Sequence, residues 1–344
     1  MDSNDRLINY SANGFSFESE TIELQRMVRA FAEKEISKAQ EKMDESHDFP
    51  YDCWQKWSEL GMAGILVPED YGGVELDPFS YIVAMEEVAR VSQTFALIWQ
   101  VHVLVGNMYN LLGNDDQKDT WLRKFATGEI LGAFGLTEPN AGSDAGGVQT
   151  RAELENGHWK INGNKIFISN AGTEISDGLI LMAATDKKAD GRPILSSFIV
   201  PRNTSGFKLG QSFKKMAWHG MDNRELVFEN ATIPEANLLG VEGAGLKQAL
   251  SGLNLGRIVF GALGAGLIQA CLDETLEYAK QRKQFGKSIS SFQLVQAKIA
   301  DMAIHAEAVR SFTLHAARLF NEGKDCQAEA AMVKTFGTEM ATKA

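Results

Sequence analysis

Cysteine is scarce in this chain: Cys53, Cys271 and Cys326 are the only three in 344 residues. They are odd in number, far apart and in no ligand spacing. That excludes a disulfide framework and a thiolate metal site, and reads as three reduced thiols in a reducing compartment. The six histidines form no His-x-x-x-His pair, so no metal is expected. Positive charge is also short. A formal net charge of −11 argues against nucleic acid as a bulk partner. It leaves room for an anionic small molecule, which responds to a local site and not to the total charge. No apolar run approaches membrane-spanning length, so no membrane span is expected. The acidic start Met1-Asp2-Ser3-Asn4-Asp5 lacks the basic start and apolar core of a signal peptide and the Arg-rich pattern of a transit peptide. A cytoplasmic protein is expected, or a mitochondrial matrix protein already processed.

What is present divides into three stretches. From about Phe17 to Thr127 the pattern is helical, with Leu24, Met27, Val28 and Phe31 on one helix face. From about Ile130 to Leu239 it turns to short strands, among them Arg151–Leu154 and His158–Ile161 around the hairpin signal Glu155-Asn156-Gly157. Lys165–Ser169 reads as a further short strand. From about Gly243 onward long helices return, over Leu246–Arg282, Gln293–Asn321 and from Cys326. Segregated classes of this kind predict an α+β fold with domains at 1–128, 129–241 and 242–344. Gly261-Ala262-Leu263-Gly264-Ala265-Gly266 imitates a dinucleotide-binding glycine run. It follows no strand and lies inside a helical pattern, so close helix–helix approach is the expected reason for it.

The most informative stretch is Gly135-Leu136-Thr137-Glu138-Pro139-Asn140-Ala141-Gly142-Ser143-Asp144, which follows the apolar run Ile130–Phe134. Two hydroxyls, two carboxylates and several small residues share one short loop. Such a loop can present N–H groups and hydroxyls to a phosphate or an oxygen-rich edge, or it can be a polar surface turn.

The helical–β–helical order and this loop together resemble the acyl-CoA dehydrogenase family, from about Phe15 onward. Residues 135–147 match the family's first signature at every defined position. The resemblance implies a helical N-terminal domain, a middle β-barrel or sandwich, and an incomplete C-terminal helical bundle. It also implies FAD, whose pyrimidine edge would meet the backbone of Leu136 and Thr137, beside Phe134. Gly142 and Ser143 would serve the phosphate end, with Ser143 also bordering the acyl-CoA channel. Lys165-Ile166-Phe167-Ile168-Ser169-Asn170 resembles the family's second flavin contact. Phe167 stands where a Trp is frequent, Ile168 follows it, and Ser169 keeps a hydroxyl that can reach flavin N5. Arg282, Phe285 and Gln293 match an element that contacts the adenosine diphosphate half of an FAD bound mainly to a neighbouring subunit. A homo-oligomer, a dimer of dimers, is therefore implied.

On the substrate side, Asn254 and Arg257 match residues near the pantetheine and acyl pocket, and Thr185 aligns with a polar residue near the CoA. Met221-Asp222-Asn223-Arg224-Glu225-Leu226 departs from the frequent Ser-x-Thr form at two positions. Leu97, Trp99, Val103 and Val105 fit either a pocket floor or plain core. The implied reaction is α,β-dehydrogenation of an acyl-CoA thioester, with electrons passing to an electron-transfer flavoprotein. Its catalytic Glu has two family locations. One is held here by Gly256, and the other lies in a segment beyond Ala344, so no catalytic base is expected within this sequence. An acyl-CoA oxidase or flavin monooxygenase relative, or a non-catalytic FAD/acyl-CoA-binding fragment, are the alternatives.

Overall fold

A computed structural model describes residues 17–344. The acidic start Met1–Asp5 and Phe15 lie outside them. The main helices are α1 Ser19–Phe31, α2 Ser37–Ser46, α3 Tyr51–Glu59, α4 Pro78–Val91, α5 Gln93–Leu112, α6 Gly245–Gln281, α7 Gln293–Asn321 and α8 Gln327–Lys343. The chain forms two compact units. One takes the stretch up to Glu41, Asp77–Ala96 and Asn254–Ala344; the other takes Lys42–Leu76 and Leu97–Leu253.

The first unit is helical. Its α1 buries Leu24 and Val28, one turn apart, on the face the periodicity predicts. Asp77 caps α4 by accepting from the Ser80 N–H at 2.6 Å, with Pro78 at the first helical position. Charge is buried between helices. Arg29 on α1 clamps Glu87 on α4 with two bonds of 2.8 and 2.6 Å, and Gln25 adds a third at 2.7 Å. Arg310 on α7 donates to Glu86 on α4 at 2.7 Å and to Gln269 on α6 at 2.9 Å. The glycine run of α6 is a packing surface. A Cβ at Gly264 would lie 2.6 Å from the Gly337 carbonyl oxygen, and one at Gly266 would lie 2.6 Å from that of Glu86.

Two helices, Gln93–Leu112 and Gly245–Gln281, are long and apolar enough to cross a bilayer by length and composition, contrary to the expectation that no run approached that length. In these helices 67% and 72% of the qualifying stretch is buried in protein, as core helices are.

The second unit holds an eight-stranded sheet. Its strands are β1 Phe134–Gly135, β2 Arg151–Glu155, β3 His158–Ser169, β4 Gly178–Lys187, β5 Pro193–Pro201, β6 Phe207–Ser212, β7 Asn223–Pro234 and β8 Leu238–Leu239. Their order is β6-β7-β3-β2-β4-β5-β8, with β1 parallel to β4. Asn156 and Gly157 close the β2–β3 hairpin with φ of 51° and 74°, as a type I′ turn requires. Two short strands were expected over 158–169, yet β3 is continuous. Its polar interruption is a bulge at Gly163, where φ is 147° and a Cβ would meet Thr150 Cα at 2.7 Å. Leu97, Trp99, Val103 and Val105 are all buried. The Trp99 indole donates to the Met62 carbonyl at 2.7 Å and meets Trp57 edge-on at 4.9 Å. Core packing accounts for it.

His102 lies in this core as a neutral ring. Its Nε2–H donates to the Phe125 carbonyl at 3.0 Å while Nδ1 accepts from the Gly132 N–H at 3.2 Å. Burial pulls its pKa down to about 4. The unfolded chain therefore binds the extra proton first, and stability falls as pH drops from about 6.5 toward 4. The expected loss across that window is about 3 kcal/mol. Urea denaturation of the wild type and of His102→Gln at neutral and mildly acidic pH checks it. The variant should lose distinctly less than the wild type over the same pH step.

Candidate functional site

The loop after β1 is held from beneath. Glu138 and Ala141 exchange both backbone hydrogen bonds, at 3.0 and 3.1 Å, and so close a turn over the exposed Pro139 and Asn140. The Glu138 carboxylate turns inward and accepts from the N–H groups of Gln149 at 2.7 Å and Thr150 at 2.9 Å, and from Lys165 Nζ at 2.7 Å. Lys165 is fully buried and also donates to the Leu136 carbonyl at 2.9 Å. Burial draws its ammonium down to about 8, against the pull of Glu138. Burial pushes the Glu138 carboxyl up, but Lys165 and the two N–H donors outweigh it and hold that group below the usual carboxylate range.

This anchoring decides which backbone groups are left over. The Leu136 carbonyl is taken by Lys165 and the Thr137 carbonyl by the Ile166 N–H at 2.9 Å. Among the described residues, no hydrogen bond satisfies the N–H of Leu136 or of Thr137. A trans peptide points its C=O and N–H in opposite directions. The Thr137 N–H therefore points away from Lys165. Two adjacent donors remain for a ligand.

The neighbouring strand adds an aromatic face. Register slips between Lys165 and Ile168 where β3 pairs with β7, and Phe167 sits in this irregularity at φ 62° with 60% of its surface exposed. A left-handed conformation costs a non-glycine residue roughly 1–2 kcal/mol. Asn223 braces it, donating from Nδ2 to the Phe167 carbonyl at 3.0 Å and to Ser169 Oγ at 3.3 Å. Ser169 accepts there, and its own hydroxyl hydrogen is left to donate. The Ile168 side chain is buried in the sheet core, so only its backbone can face a ligand. Phe134 likewise packs into core clusters on both sides. Gly142 and Ser143 are exposed, and a Cβ at 142 would meet no described protein atom within 4 Å. Nothing among the described residues requires a glycine there.

Free N–H donors, a hydroxyl and an exposed ring suit a flat ligand with an acceptor edge. The comparisons with known proteins agree. Three family models match in chain order: "Acyl-CoA dehydrogenase, N-terminal domain" over residues 18–129, the middle domain over 133–231 and the C-terminal domain over 243–344. The chain belongs to the acyl-CoA dehydrogenase family. An acyl-CoA dehydrogenase of Bacillus subtilis is 44% identical over 94% of this chain and 85% of its own length. The structure of butyryl-CoA dehydrogenase from Megasphaera elsdenii superposes with a TM-score of 0.91 at 35% identity, covering 96% of this chain and 86% of that one. A chain solved in a study of the electron transferring flavoprotein of Acidaminococcus fermentans gives a TM-score of 0.91 at 38% identity, over 96% and 86%.

In this acyl-CoA dehydrogenase, Leu136, Thr137, Phe167 and Ser169 come together in the second unit. Thr185 is in the same unit, with its hydroxyl 2.9 Å from that of Ser196 on the adjoining strand. Arg282, Phe285 and Gln293 belong to the first unit. There Lys283–Gln284 and Lys287–Ser288 form a small hairpin, β9 and β10, with Phe285 and Gly286 at its tip and Phe285 91% exposed. Arg257 Nη1 donates to Asn254 Oδ1 at 2.6 Å, one turn apart on α6. Asp222, in the segment that departs from the family form, binds the Arg224 guanidinium and the Gly172 N–H. Lys165, Glu138 and Asn223 brace this loop and strand, and the motifs gave them no role. The signals available were a carboxylate in a turn of small residues and a lysine inside an apolar strand.

Proposed function

We propose that this protein is an FAD-dependent enzyme that desaturates the Cα–Cβ bond of an acyl-CoA thioester and passes its electrons to an electron-transfer flavoprotein. The observation that carries this reading is the pair of unsatisfied N–H groups at Leu136 and Thr137 beside the exposed Phe167. Bound FAD supplies the acceptor for the β-hydrogen. Leu136 and Thr137 would hold its pyrimidine edge through their free N–H groups, Phe167 would cover a ring face, and Ser169 would offer N5 a hydroxyl. Gly142 leaves room for close approach of the phosphates, and Ser143 offers them a hydroxyl. Arg282, Phe285 and Gln293 reach the adenosine diphosphate half on a neighbouring copy; the Arg fork suits phosphate oxygens. Asn254 and Arg257 orient the pantetheine arm. Gly256 has no side chain, so the α-proton base is not drawn from that position.

Anaerobic titration of the FAD-loaded protein with acyl-CoAs of graded length tests the reading. Bleaching of the flavin band, with reoxidation by electron-transfer flavoprotein and little peroxide, is expected. Rapid oxygen uptake with peroxide would make it an oxidase. A flavin that no acyl-CoA bleaches, or no flavin retained, would overturn the enzyme reading.

Phe167 provides a separate check. Glycine adopts positive φ freely, so Phe167→Gly should leave apoprotein stability within about 1 kcal/mol of wild type. Loss of the ring's contact should weaken FAD about five- to tenfold, in line with the ~1 kcal/mol worth of an aromatic pair. Thermal melts of the apoprotein and flavin fluorescence titrations measure the two effects.

A further inference from the structure

The buried ammonium under the loop bonds to one particular peptide. Lys165 Nζ lies 2.9 Å from the Leu136 carbonyl oxygen, and the N–H at the other end of that same peptide group belongs to Thr137. We propose that Lys165 is a positioning residue that polarises the Leu136–Thr137 peptide and so raises the reduction potential of the flavin held there. This inference rests on the FAD reading above.

Three observations carry it. First, Lys165 is fully buried, so water does not screen its charge from the peptide. Second, a cation on an amide oxygen draws density through the C–N resonance and makes the N–H a stronger donor; hydrogen-bonded groups in series polarise one another in this way. Third, the Thr137 N–H finds no acceptor among the described residues, so its added donor strength is available to a ligand. A flavin gains electron density in its pyrimidine ring on reduction. A strengthened donor at that edge favours the reduced ring over the oxidised one.

Glu138 does not cancel the effect. Its carboxylate already accepts from the Gln149 and Thr150 N–H groups, and it holds Lys165 Nζ at 2.7 Å, within reach of the Leu136 oxygen. The ammonium thus bridges an anion and a carbonyl, and only the carbonyl leads to the free donor. Burial draws the Lys165 ammonium toward 8, so its charge is fully in place at pH 6.5, where the test is made.

The test is the midpoint potential of the FAD-loaded protein at pH 6.5, by equilibration with redox dyes, for wild type, Lys165→Met and Lys165→Arg. Lys165→Met keeps the side chain's length and removes its charge. We expect it to bind FAD and to shift the reduced-to-oxidised ratio about tenfold toward oxidised, which is about 30 mV for a two-electron couple. Lys165→Arg should restore most of the shift, which a purely space-filling role would not produce. A flavin-loaded Lys165→Met with the wild-type potential overturns the proposal. Should that single variant fail to fold, the paired Glu138→Gln/Lys165→Met variant, which leaves no buried charge, is judged by the same shift. A readout on the wild type needs no variant: Raman spectra of the bound flavin should show a pyrimidine carbonyl stretch lower than that of FAD in water. A stretch at or above the free value counts against the proposal. Wild-type protein that takes up no FAD would refute the cofactor reading itself, and is told apart from the other failures by the absence of any bound flavin.

Discussion

Glu138→Ala is expected to cost the second unit about 3–5 kcal/mol, the usual consequence of leaving half of a buried ion pair behind. The substitution strands Lys165 Nζ with a single neutral acceptor, the Leu136 carbonyl. It also orphans the N–H groups of Gln149 and Thr150, both of which end on the lost carboxylate. Of these two, the Thr150 N–H is buried and adds to the penalty when left unsatisfied. Because the same side chain anchors the loop, FAD retention should fall together with stability. Glu138→Gln should fall between the two: an amide oxygen can still accept from the backbone, but the charge partner of Lys165 is gone. Urea denaturation with flavin retention measured on the same samples is the check. An Ala variant within about 1 kcal/mol of wild type would mean that the pair is not the anchor described.

Glu87→Ala should act as strongly on the first unit. Its carboxylate is 3% exposed and receives Arg29 through two bonds and Gln25 through a third. Removing it takes from the buried Arg29 guanidinium the carboxylate that it meets through two bonds. The expected cost is again about 3–5 kcal/mol. The informative comparison is Arg29→Met/Glu87→Leu, which removes both charges and fills the space with apolar atoms. Desolvation of the pair offsets much of its attraction, so the double variant should be clearly more stable than Glu87→Ala. A double variant that is less stable would show that the pair contributes more than it costs to bury. The pH signature has a definite sign. Burial raises the Glu87 carboxyl, but Arg29, Arg90 and Gln25 hold it below its ordinary value. Its stabilisation is therefore present at neutral pH and lost only as pH falls through that lowered value.

Much of the fold was legible because local signals agreed with the tertiary structure. Gln293–Asn321, free of breakers, is α7 residue for residue, and Asn156-Gly157 closes the hairpin it announces. The loop at 135–144 was visible because its chemistry is carried by contiguous residues. Pairings across the chain were not. Nothing local links Glu138 to Lys165, or Asn223 to the carbonyl of Phe167, 56 residues away. The left-handed φ of Phe167 could not be read either, since an aromatic in an apolar run looks like ordinary strand core. The polar break at Asn162-Gly163-Asn164 suggested two strands because a bulge and a loop have the same composition. Only the backbone partners of β3 distinguish them. The composition of the two units was equally hidden, because each gathers segments that are distant in sequence.

The glycines of α6, which meet α8 on one side and α4 on another, bear on where this helix gets its stability. Six of the 37 residues of this helix are glycine. Each weakens an isolated helix by about 1 kcal/mol relative to alanine. A peptide of this sequence would therefore have little helicity in water, despite its length. At Gly264 and Gly266 the absent side chains are what allow the backbones of Gly337 and Glu86 to approach. The helix therefore draws its stability from the surfaces that α4 and α8 offer it, and not from its own sequence.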